Sequence, residues 1–381
     1  MVRRIYLDAN ATTPLLPEVL EAMRPFLVEQ FGNASSIHQE GQRARSAVEQ
    51  ARASVARFLG CRPAEIVFTS GGTESDNLAI FGSVRAGDHV LTSRVEHHAV
   101  LHAVERLGDR GVEVEFLPVD AQGVVAVQDV RRALRPNSRL ISVMLANNET
   151  GVLQPVEEIG RIAREAGVSF HVDAVQAAGK MAIDVHSLGC DLLSISGHKM
   201  HGPQGTGALF VRRRTRLEPL FAGGAHERQR RAGTENVAGI VGLGKAAECA
   251  LEGLRNGELE RIRGLRDRLE IGLLEQASGV NGGGTPRVPN TSNLWFETLD
   301  GEALVIALDL QGLAVSSGAA CSSGASEPSH VLLAMGISPE RARGSLRLSL
   351  HRQTTEEEIA RTIELISSQV ARLRELSAVT Q

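Results

Sequence analysis

A single lysine, Lys199, stands in a turn of small and polar residues, where its amine could do covalent chemistry. The turn reads Ser-Gly-His-Lys-Met-His-Gly-Pro over 196–203 and follows an apolar run that ends at Ile195. In open α/β folds, ligands bind beyond the carboxyl ends of the sheet strands. Because lysine amines form Schiff bases with carbonyl compounds, Lys199 is a candidate covalent residue. The alternative is an ordinary exposed loop lysine.

A second segment, Thr-Ser-Gly-Gly-Thr-Glu-Ser-Asp-Asn over 69–77, has the composition of an anion-binding turn. An apolar strand ends there, Gly71 and Gly72 permit a ligand to approach closely, and a helix begins near Thr73. Free N–H groups at the start of that helix, together with the Thr73 hydroxyl, would face a negatively charged group. The alternative is a plain strand-to-helix turn that Thr73 caps.

Three further polar side chains, Asp173, His97 and Asn148, come just after apolar runs. A buried Asp173 would need a cationic partner, and a protonated ring nitrogen would be one. Gln176 and Asn148 could hydrogen-bond a ring oxygen, while His97 could stack on a ring and exchange protons near neutral pH. Taken singly, Asp173 could instead cap the next helix, and His97 could be a surface loop histidine.

These segments together meet the three requirements of pyridoxal phosphate. The phosphate needs backbone N–H groups, the ring nitrogen needs a carboxylate, and the aldehyde needs a lysine. Ser196 and His198 are also available to the phosphate. Five predicted strand ends offer a suitable residue in chain order, near positions 73, 97, 148, 173 and 199. The sequence therefore predicts one cofactor site that is assembled from separate strand ends.

Strands and helices alternate over the first two-thirds of the chain, and this alternation would position those residues. Helical spacing is found over 44–59, 78–84, 99–107 and 156–166. Alternation of this kind favours a largely parallel sheet with helices on both faces. Seven short apolar runs predict its strands: 66–68, 90–91, 112–117, 140–145, 168–172, 192–195 and 208–211.

The composition changes after about residue 255, which indicates a second domain. A charged amphipathic helix is predicted over 254–274, and a strand follows around Trp295. We divide the chain into an N-terminal segment (1–15) that packs with the small domain near the site, a large cofactor-binding domain (16–255) and a small α+β domain (256–381). The remaining predicted elements of the small domain are a helix near 302–310, a Ser/Gly loop at about 315–330, a strand over 345–350 and a closing helix from 355.

Composition excludes several classes of protein. With 42% hydrophobic and 23% charged residues and a net charge of −4, nothing favours nucleic acid or an anionic membrane as a partner. No apolar run approaches the ~20 residues of a membrane span. The four cysteines (Cys61, Cys190, Cys249 and Cys321) are far apart and form no C-x-x-C metal pair, so we expect no metal site and a reducing cytoplasm.

The chain resembles the cysteine desulfurases of the NifS/IscS type, which are class-V aminotransferases and fold-type I pyridoxal-phosphate enzymes. The resemblance extends over nearly the whole chain and depends on long, ordered motifs. It implies a large domain with a mostly parallel seven-stranded sheet and a smaller α+β C-terminal domain. The motifs are SGGTESDNLAI (70–80), EHHAVL (96–101), NNETG (147–151), HVDAVQAAGK (171–180), SGHKMHGPQGTGALFVR (196–212), RAGTENVAGIVG (231–242) and VSSGAACSSGASEPSHVLLAMG (315–336).

The resemblance also implies roles in the large domain. Lys199 binds the cofactor aldehyde, Asp173 pairs with the ring nitrogen, Gln176 bonds the phenolic oxygen and His97 stacks on the ring. Asn148 lies near the ring oxygen and the substrate. The residues implied to hold the phosphate are Gly72, Thr73, Ser196 and His198, joined by Thr234 of the other subunit of a homodimer.

Further roles concern the substrate and its sulfur. Arg347 would grip the carboxylate of L-cysteine, because a planar guanidinium suits two oxygens, and Asn33 lies near the same pocket. Cys321, in a loop of small residues, would take the sulfur as a persulfide, release L-alanine and pass the sulfur to an acceptor such as an iron–sulfur scaffold protein. Two positions depart from the family: His351 stands where glycine is common, and Ala34 where proline is common.

Several alternatives remain open from the sequence. A selenocysteine lyase or a sulfinate-removing relative would share the scaffold, although a short loop around the cysteine would be typical of it. An aminotransferase of the same fold needs no thiol and would consume a keto acid. A non-catalytic protein that kept the fold would lack pyridoxal-phosphate absorbance. The acceptor could serve general iron–sulfur assembly, nitrogenase maturation or tRNA thiolation.

Overall fold

A computed structural model describes residues 4–317 and 327–379, and a seven-stranded sheet is the centre of its larger part. The strand order is β2-β8-β7-β6-β5-β3-β4, and only β8 runs antiparallel to its neighbours. The prediction of a mostly parallel sheet is therefore confirmed. Its strands are β2 (Ile66–Thr69), β3 (His89–Ser93), β4 (Glu113–Leu117), β5 (Ser138–Ser142), β6 (Ser169–Asp173), β7 (Leu192–Ser196) and β8 (Gly207–Val211).

Helices cover both faces of this sheet. Buried side chains of β5, β6 and β7 pack with α2, α6 and α8 on one face, and α3 and α4 cover the other. Since both faces are covered, β2, β3, β7 and β8 are buried along their whole length, whereas the edge strand β4 is partly exposed. The helices up to residue 255 are α1 (Pro17–Val28), α2 (Gln39–Leu59), α3 (Gly72–Ser83), α4 (His98–Gly108), α5 (Val127–Ala133), α6 (Val156–Ala166), α7 (Val185–Leu188) and α8 (Val237–Arg255).

A smaller four-stranded antiparallel sheet, β12-β13-β10-β9, is the basis of the C-terminal part. Its core contains Leu294, Leu346 and Leu348 from the sheet, together with side chains of α9, α10 and α13. The elements are α9 (Glu258–Leu273), β9 (Gly279–Val280), β10 (Thr291–Trp295), α10 (Gly301–Leu310), β11 (Leu313–Ala314), β12 (Ser316–Ser317), α11 (His330–Ala334), α12 (Pro339–Arg343), β13 (Ser345–Ser349) and α13 (Glu356–Val379).

The N-terminal strand β1 (Ile5–Tyr6) pairs in parallel with β11, and Leu7 lies in the core of the smaller part. The next residues cross to the large domain, where the backbone N–H of Thr13 donates to the carbonyl oxygen of His198 over 2.9 Å. The segment 7–13 therefore lies between the two parts, beside the turn that carries Lys199.

One predicted boundary is wrong. The sequence predicts a single helix over 254–274, whereas α8 continues to Arg255 and α9 begins at Glu258. Gly257 between them has φ of 80°, a left-handed conformation that glycine adopts easily and that ends a helix. None of the described helices is long and apolar enough to cross a membrane.

Candidate active site

A cavity of about 520 Å³ opens where the strands of the large sheet end and the small domain begins. Polar residues from five different strand ends line it, as expected for the carboxyl edge of a parallel sheet. Ten residues that the sequence predicts for the site line this cavity: Gly72, Thr73, His97, Asn148, Asp173, Gln176, Ser196, His198, Lys199 and Arg347.

Lys199 ends a short 3₁₀ turn directly after β7, and its amine points into this region. Nζ donates to the backbone carbonyl oxygens of Asn10 (2.6 Å) and Ala11 (2.7 Å). Burial and the nearby positive charge of Arg347 lower the pKa of Lys199 to about 8, against a smaller opposing effect of Asp8 and Asp173. A lysine with a lowered pKa reaches its neutral, nucleophilic form close to neutral pH.

Asp173 ends β6 and supplies a carboxylate to the same cavity. Its Oδ1 accepts a hydrogen bond from the backbone N–H of Val175 over 2.9 Å. Burial raises the pKa of Asp173 to about 6, although that hydrogen bond and Lys199 act in the opposite direction. A cationic ring nitrogen at this position would stabilise the ionised form, because an opposite charge within a few ångströms favours it.

A second carboxyl group, the buried Asp76 on α3, also lines the cavity near Asp173 and was not predicted from the sequence. Burial, followed by the charge of Asp173, raises the pKa of Asp76 well above its usual value. Its Oδ1 has no hydrogen-bond partner among the described residues and lies 3.6 Å from Nε2 of His171. Burial lowers the pKa of His171 to about 3, so that ring is neutral between Ser142 and Ser194.

The start of α3 forms the anion-binding end of the cavity. Gly71 at its N-cap offers no side-chain cap, so the first N–H groups of the helix are open to a ligand. A Cβ on Gly72 would lie 2.7 Å from Cγ2 of Val175, so a larger residue there would require Val175 to shift. Ser196 and His198 border the same end, where a second opening of about 500 Å³ adjoins the cavity. The chemistry of this cradle suits a phosphate group.

His97 is the N-cap of α4, and its position depends on the buried Glu96. Nδ1 of His97 accepts from the backbone N–H of Ala99 over 3.1 Å, which leaves Nε2 as the donor of the neutral ring. Desolvation by the surrounding walls and the charge of Lys199 lower the pKa of His97. Oε1 of Glu96 accepts from Ser93 Oγ (2.5 Å) and from the backbone N–H of Met144 (2.9 Å), and so holds this turn in place.

Arg347 reaches the cavity from β13 of the small domain. Its guanidinium donates to Oδ1 of Asp8 (2.8 Å) and to the carbonyl oxygen of Asn148 (3.2 Å), while its Nε has no partner among the described residues. Asn148 contributes a side-chain oxygen that also lacks a hydrogen-bond partner within the described part of the chain. A carboxylate ligand could therefore accept a hydrogen bond from the unpaired Nε of Arg347. It could also replace Asp8, which is only moderately buried, as the partner of the guanidinium.

Asn10 is a junction of hydrogen bonds and was not among the residues predicted for the site. Its backbone oxygen accepts from Nζ of Lys199 and from Nε2 of Gln176, at 2.6 and 2.9 Å. Its side chain bonds Lys180, Asn290, Thr291 and the backbone of Asn148. The prediction that the segment 1–15 packs near the site was the nearest signal in the sequence, and it indicated no contact to Lys199.

Two predicted residues do not line this cavity. Asn33 is exposed and accepts a local hydrogen bond from Ser35, and Thr234 lines a small separate cavity of about 90 Å³. Cys321 lies outside the described residues. The predicted roles of all three stay predictions.

The other cysteines have the character of structural residues. Cys190 and Cys249 are buried and Cys61 is half-buried, and each is a free thiol. Burial raises the pKa of both Cys61 and Cys190 to about 12, which makes these thiols poor nucleophiles at neutral pH. Over residues 4–317 and 327–379, no group of three or more His, Cys, Asp or Glu side chains could hold a metal ion.

Neither of the two residues that depart from the family pattern lines the cavity. Ala34 is buried in the core against α2 and α8. His351 lies between Tyr6 and His201, with ring centroids 6.1 and 6.2 Å away, and belongs to a narrow space behind Lys199.

Comparisons with known proteins agree in sequence and in fold. The family described as Aminotransferase class-V matches residues 5–362. A cysteine desulfurase IscS of Dictyoglomus turgidum is 47% identical over 387 residues, covering 100% of this chain and 98% of the relative. The solved structure of a NifS-like protein aligns with a TM-score of 0.91 and 36% identity, over 97% of this chain and 99% of that one.

A further solved structure, described as SspA in complex with cysteine, aligns with a TM-score of 0.81 and 37% identity. It covers 92% of this chain and all of the other. Matches of this identity over nearly the full length of the chain show the family as well as the fold. The chain therefore belongs to the class-V aminotransferase family and, within it, to the cysteine desulfurases of the NifS and IscS type.

Proposed function

We propose that this enzyme removes sulfur from L-cysteine with bound pyridoxal phosphate, releases L-alanine and keeps the sulfur as a persulfide on Cys321. The observation that carries the proposal is the convergence of Lys199, Asp173 and Arg347 on one cavity. A covalent lysine, a carboxylate for a ring nitrogen and a guanidinium for a substrate carboxylate are the groups that this chemistry requires.

The residues present fit the cofactor. The open N–H groups at the start of α3, with Ser196 and His198, would hold its phosphate. Asp173 would pair with its ring nitrogen and Gln176 would donate to its phenolic oxygen, while His97 would lie on its ring face. When bound, pyridoxal phosphate supplies an electron sink next to the substrate α-carbon.

Arg347 and Lys199 would act on different parts of the substrate, namely its carboxylate and its α-carbon. Arg347 binds the carboxylate of cysteine, exchanging its present contact with Asp8 for two oxygens of the ligand. The amine of Lys199, with a pKa lowered to about 8, takes the α-proton and returns it. Nε2 of His97 is placed to hold a second proton at the cavity wall.

Cys321 would accept the sulfur as a thiolate. Its sulfur attacks the sulfur of cysteine, an S–S bond forms and the C–S bond breaks, and the carbon takes a proton to become the methyl group of alanine. The two sulfur atoms are oxidised as the carbon is reduced, so no external oxidant is needed. The other described cysteines are poor rivals, because burial raises their pKa values.

We also propose a homodimer. Phe31 is 82% exposed and Ile37 is 93% exposed, on the segment that joins α1 to α2. Ser35 within this segment lies 3.2 Å from Nε2 of His226, at the start of the loop that carries Thr234. A symmetric contact over this apolar surface would bring Thr234 toward the phosphate end of the second subunit.

The sulfur would then pass to an acceptor protein, such as an iron–sulfur scaffold. We place this reaction in the cytoplasm, where reducing conditions keep thiols free, and the described cysteines are unpaired. Neither nucleic acid nor a membrane is part of the proposal.

The test is to replace Cys321 by Ser and Lys199 by Ala in separate variants. C321S should retain the cofactor absorbance and bind cysteine but form no persulfide and release no alanine, whereas the control C61S should behave as the wild type. K199A should lose the visible absorption band that the wild type shows with pyridoxal phosphate, and K245A should keep it. Undiminished alanine release by C321S, or an unchanged K199A spectrum, would refute the proposal.

A further inference from the structure

Lysine is rare in this chain, and its distribution is informative. Of the 41 Lys and Arg residues, only Lys180, Lys199 and Lys245 are lysine. Lys245 is on the outer face of α8 beside Glu248. The other two, Lys180 and Lys199, lie together at the active site. Since nearly all other basic residues of this chain are arginine, the choice of lysine at position 180 suggests a specific role.

Lys180 is only 7% exposed and contacts the cavity lining directly. Its Nζ donates to Oε1 of Gln176 over 2.6 Å and to Oδ1 of Asn10 over 2.9 Å. Both acceptors are neutral amide oxygens, and no carboxylate of the described residues pairs with it. An ammonium group buried without a counter-ion is costly, which asks for a compensating negative charge nearby.

These contacts decide the orientation of Gln176. Because its Oε1 accepts from the Lys180 ammonium, its Nε2 must be the donor, and Nε2 now donates to the backbone oxygen of Asn10 over 2.9 Å. That oxygen is also the acceptor of Lys199 Nζ. Gln176 lines the cavity, so its amide is the link between Lys180 and a ligand there.

We propose that Lys180 is a positioning residue that holds the Gln176 nitrogen toward the cofactor and, through this amide, applies its positive charge to the phenolic oxygen of the ring. The inference rests on the proposed function, since it concerns the same site. An anionic oxygen at Gln176 is the compensating charge that Lys180 lacks among the described residues.

Other charged groups surround Lys180 and do not replace this partner. Without an anionic partner, burial lowers the pKa of Lys180 well below its usual value, and the positive charges of Lys199 and Arg347 contribute less. An anionic ring oxygen would oppose this shift and favour the ammonium form. His198 and His201 are near enough for Lys180 to lower their pKa values. On the far side, Glu258, His351 and Arg352 border the same narrow space, where Glu258 pairs with Arg352 at 2.7 Å.

The experiment is a pH titration of the visible cofactor band in the holoenzyme of the wild type, K180M, K180Q and K245M. Met removes both the charge and the donor, whereas Gln removes the charge and keeps a donor. A cation beside the ring oxygen favours deprotonation of the cofactor, so the apparent pKa should rise by about 1 in K180M and in K180Q. K245M should titrate as the wild type, and thermal unfolding confirms that each variant is folded.

A K180M titration that coincides with the wild type would overturn the proposal. So would a K180Q value equal to that of the wild type, since a neutral donor would then suffice. A wild-type protein that binds no pyridoxal phosphate would instead refute the proposed function itself, which keeps the two failures distinct.

Discussion

At the scale of single residues, buried carboxyl groups dominate the electrostatics of the site. Burial raises the pKa of Glu96 to about 8, that of Glu149 to about 7 and that of Asp173 to about 6. Asp173 would gain a cation from the cofactor, and Glu149 is close to Arg347 and bonds Ser329. No cation lowers the pKa of Glu96, so burial destabilises its ionised form more than that of the other two carboxyl groups.

The free energy of unfolding should therefore fall as the pH rises from the usual pKa of a glutamate to the raised pKa of Glu96. Its folded-state pKa of about 8 exceeds the usual 4.5, so the native state binds more protons than the unfolded state between these values and loses stability with increasing pH. Glu96→Gln mimics the protonated form and escapes this loss. We expect E96Q to gain about 3 kcal/mol relative to the wild type on going from pH ~5 to pH ~8.

The measurement is the midpoint of thermal unfolding of the apoprotein at both pH values. The exposed Glu105→Gln on α4 is the control, and its difference from the wild type should not change with pH. Equal differences for E96Q at both pH values would show that Glu96 is ionised at little cost in the folded protein.

Arg347 carries the second prediction at this scale. Lysine keeps the charge but cannot offer two parallel N–H donors to a carboxylate. Arg347→Lys should raise KM for cysteine about tenfold or more, a loss of roughly 1.4 kcal/mol in binding, with a smaller change in kcat. Steady-state kinetics of alanine formation checks this, with the exposed Arg361→Lys on α13 as control. An unchanged KM would place the carboxylate elsewhere.

At the scale of elements, the close approach of two backbones shapes the phosphate end. A Cβ on Gly207, at the start of β8, would lie 2.7 Å from Cα of Gly71 and 2.7 Å from the carbonyl oxygen of Ile195. Backbone atoms cannot move away as a side chain can. Because Gly207 has no Cβ, the start of α3 can lie close to the end of β7. This close approach brings the anion-binding start of α3 near the turn that carries Lys199.

Gly207→Ala should therefore destabilise the protein by about 1–3 kcal/mol and weaken retention of pyridoxal phosphate. The matched variant is Gly264→Ala in α9, where a Cβ meets nothing within 4 Å, and it should stabilise by about 0.5–1 kcal/mol. Thermal unfolding and equilibrium dialysis of the cofactor measure the two effects. Normal cofactor retention by G207A would mean that the cradle tolerates displacement of α3.

At the scale of the whole molecule, the surface around the end of α1 and the segment that follows it exposes several large apolar side chains. The segment between α1 and α2 exposes Phe31 and Ile37, and the end of α1 exposes Leu27 and Val28. Exposed apolar groups that cluster in this way mark interaction surfaces. The loop carrying Thr234 adjoins them through His226, so dimerisation and completion of the phosphate site are linked in the proposal.

Phe31→Glu should consequently shift the protein from dimer to monomer and weaken retention of the cofactor. Sedimentation equilibrium measures the first effect and the visible absorption band after gel filtration measures the second. Leu310→Glu, which changes an apolar residue that is 79% exposed on α10, should alter neither. A dimeric F31E protein with full cofactor would contradict this location of the interface.

Much of the fold was predictable because local patterns carry it. Apolar runs bounded by polar turns identified the strands of the large sheet, and helical spacing over 44–59 identified most of α2. The boundary between α8 and α9 was missed, because helical spacing continues across it. A single left-handed residue at Gly257 decides that break.

The site divides in the same way between local and long-range information. The positions of Lys199, Asp173 and His97 were predictable from sequence because each lies at the end of a strand or within four residues after it, and parallel strands end at one edge of a sheet. The ion pair between Arg347 and Asp8, the junction at Asn10 and the raised pKa of Glu96 were not. They join positions as far as 339 residues apart or depend on how deeply a group is buried, and only the packing of two domains against each other determines such contacts.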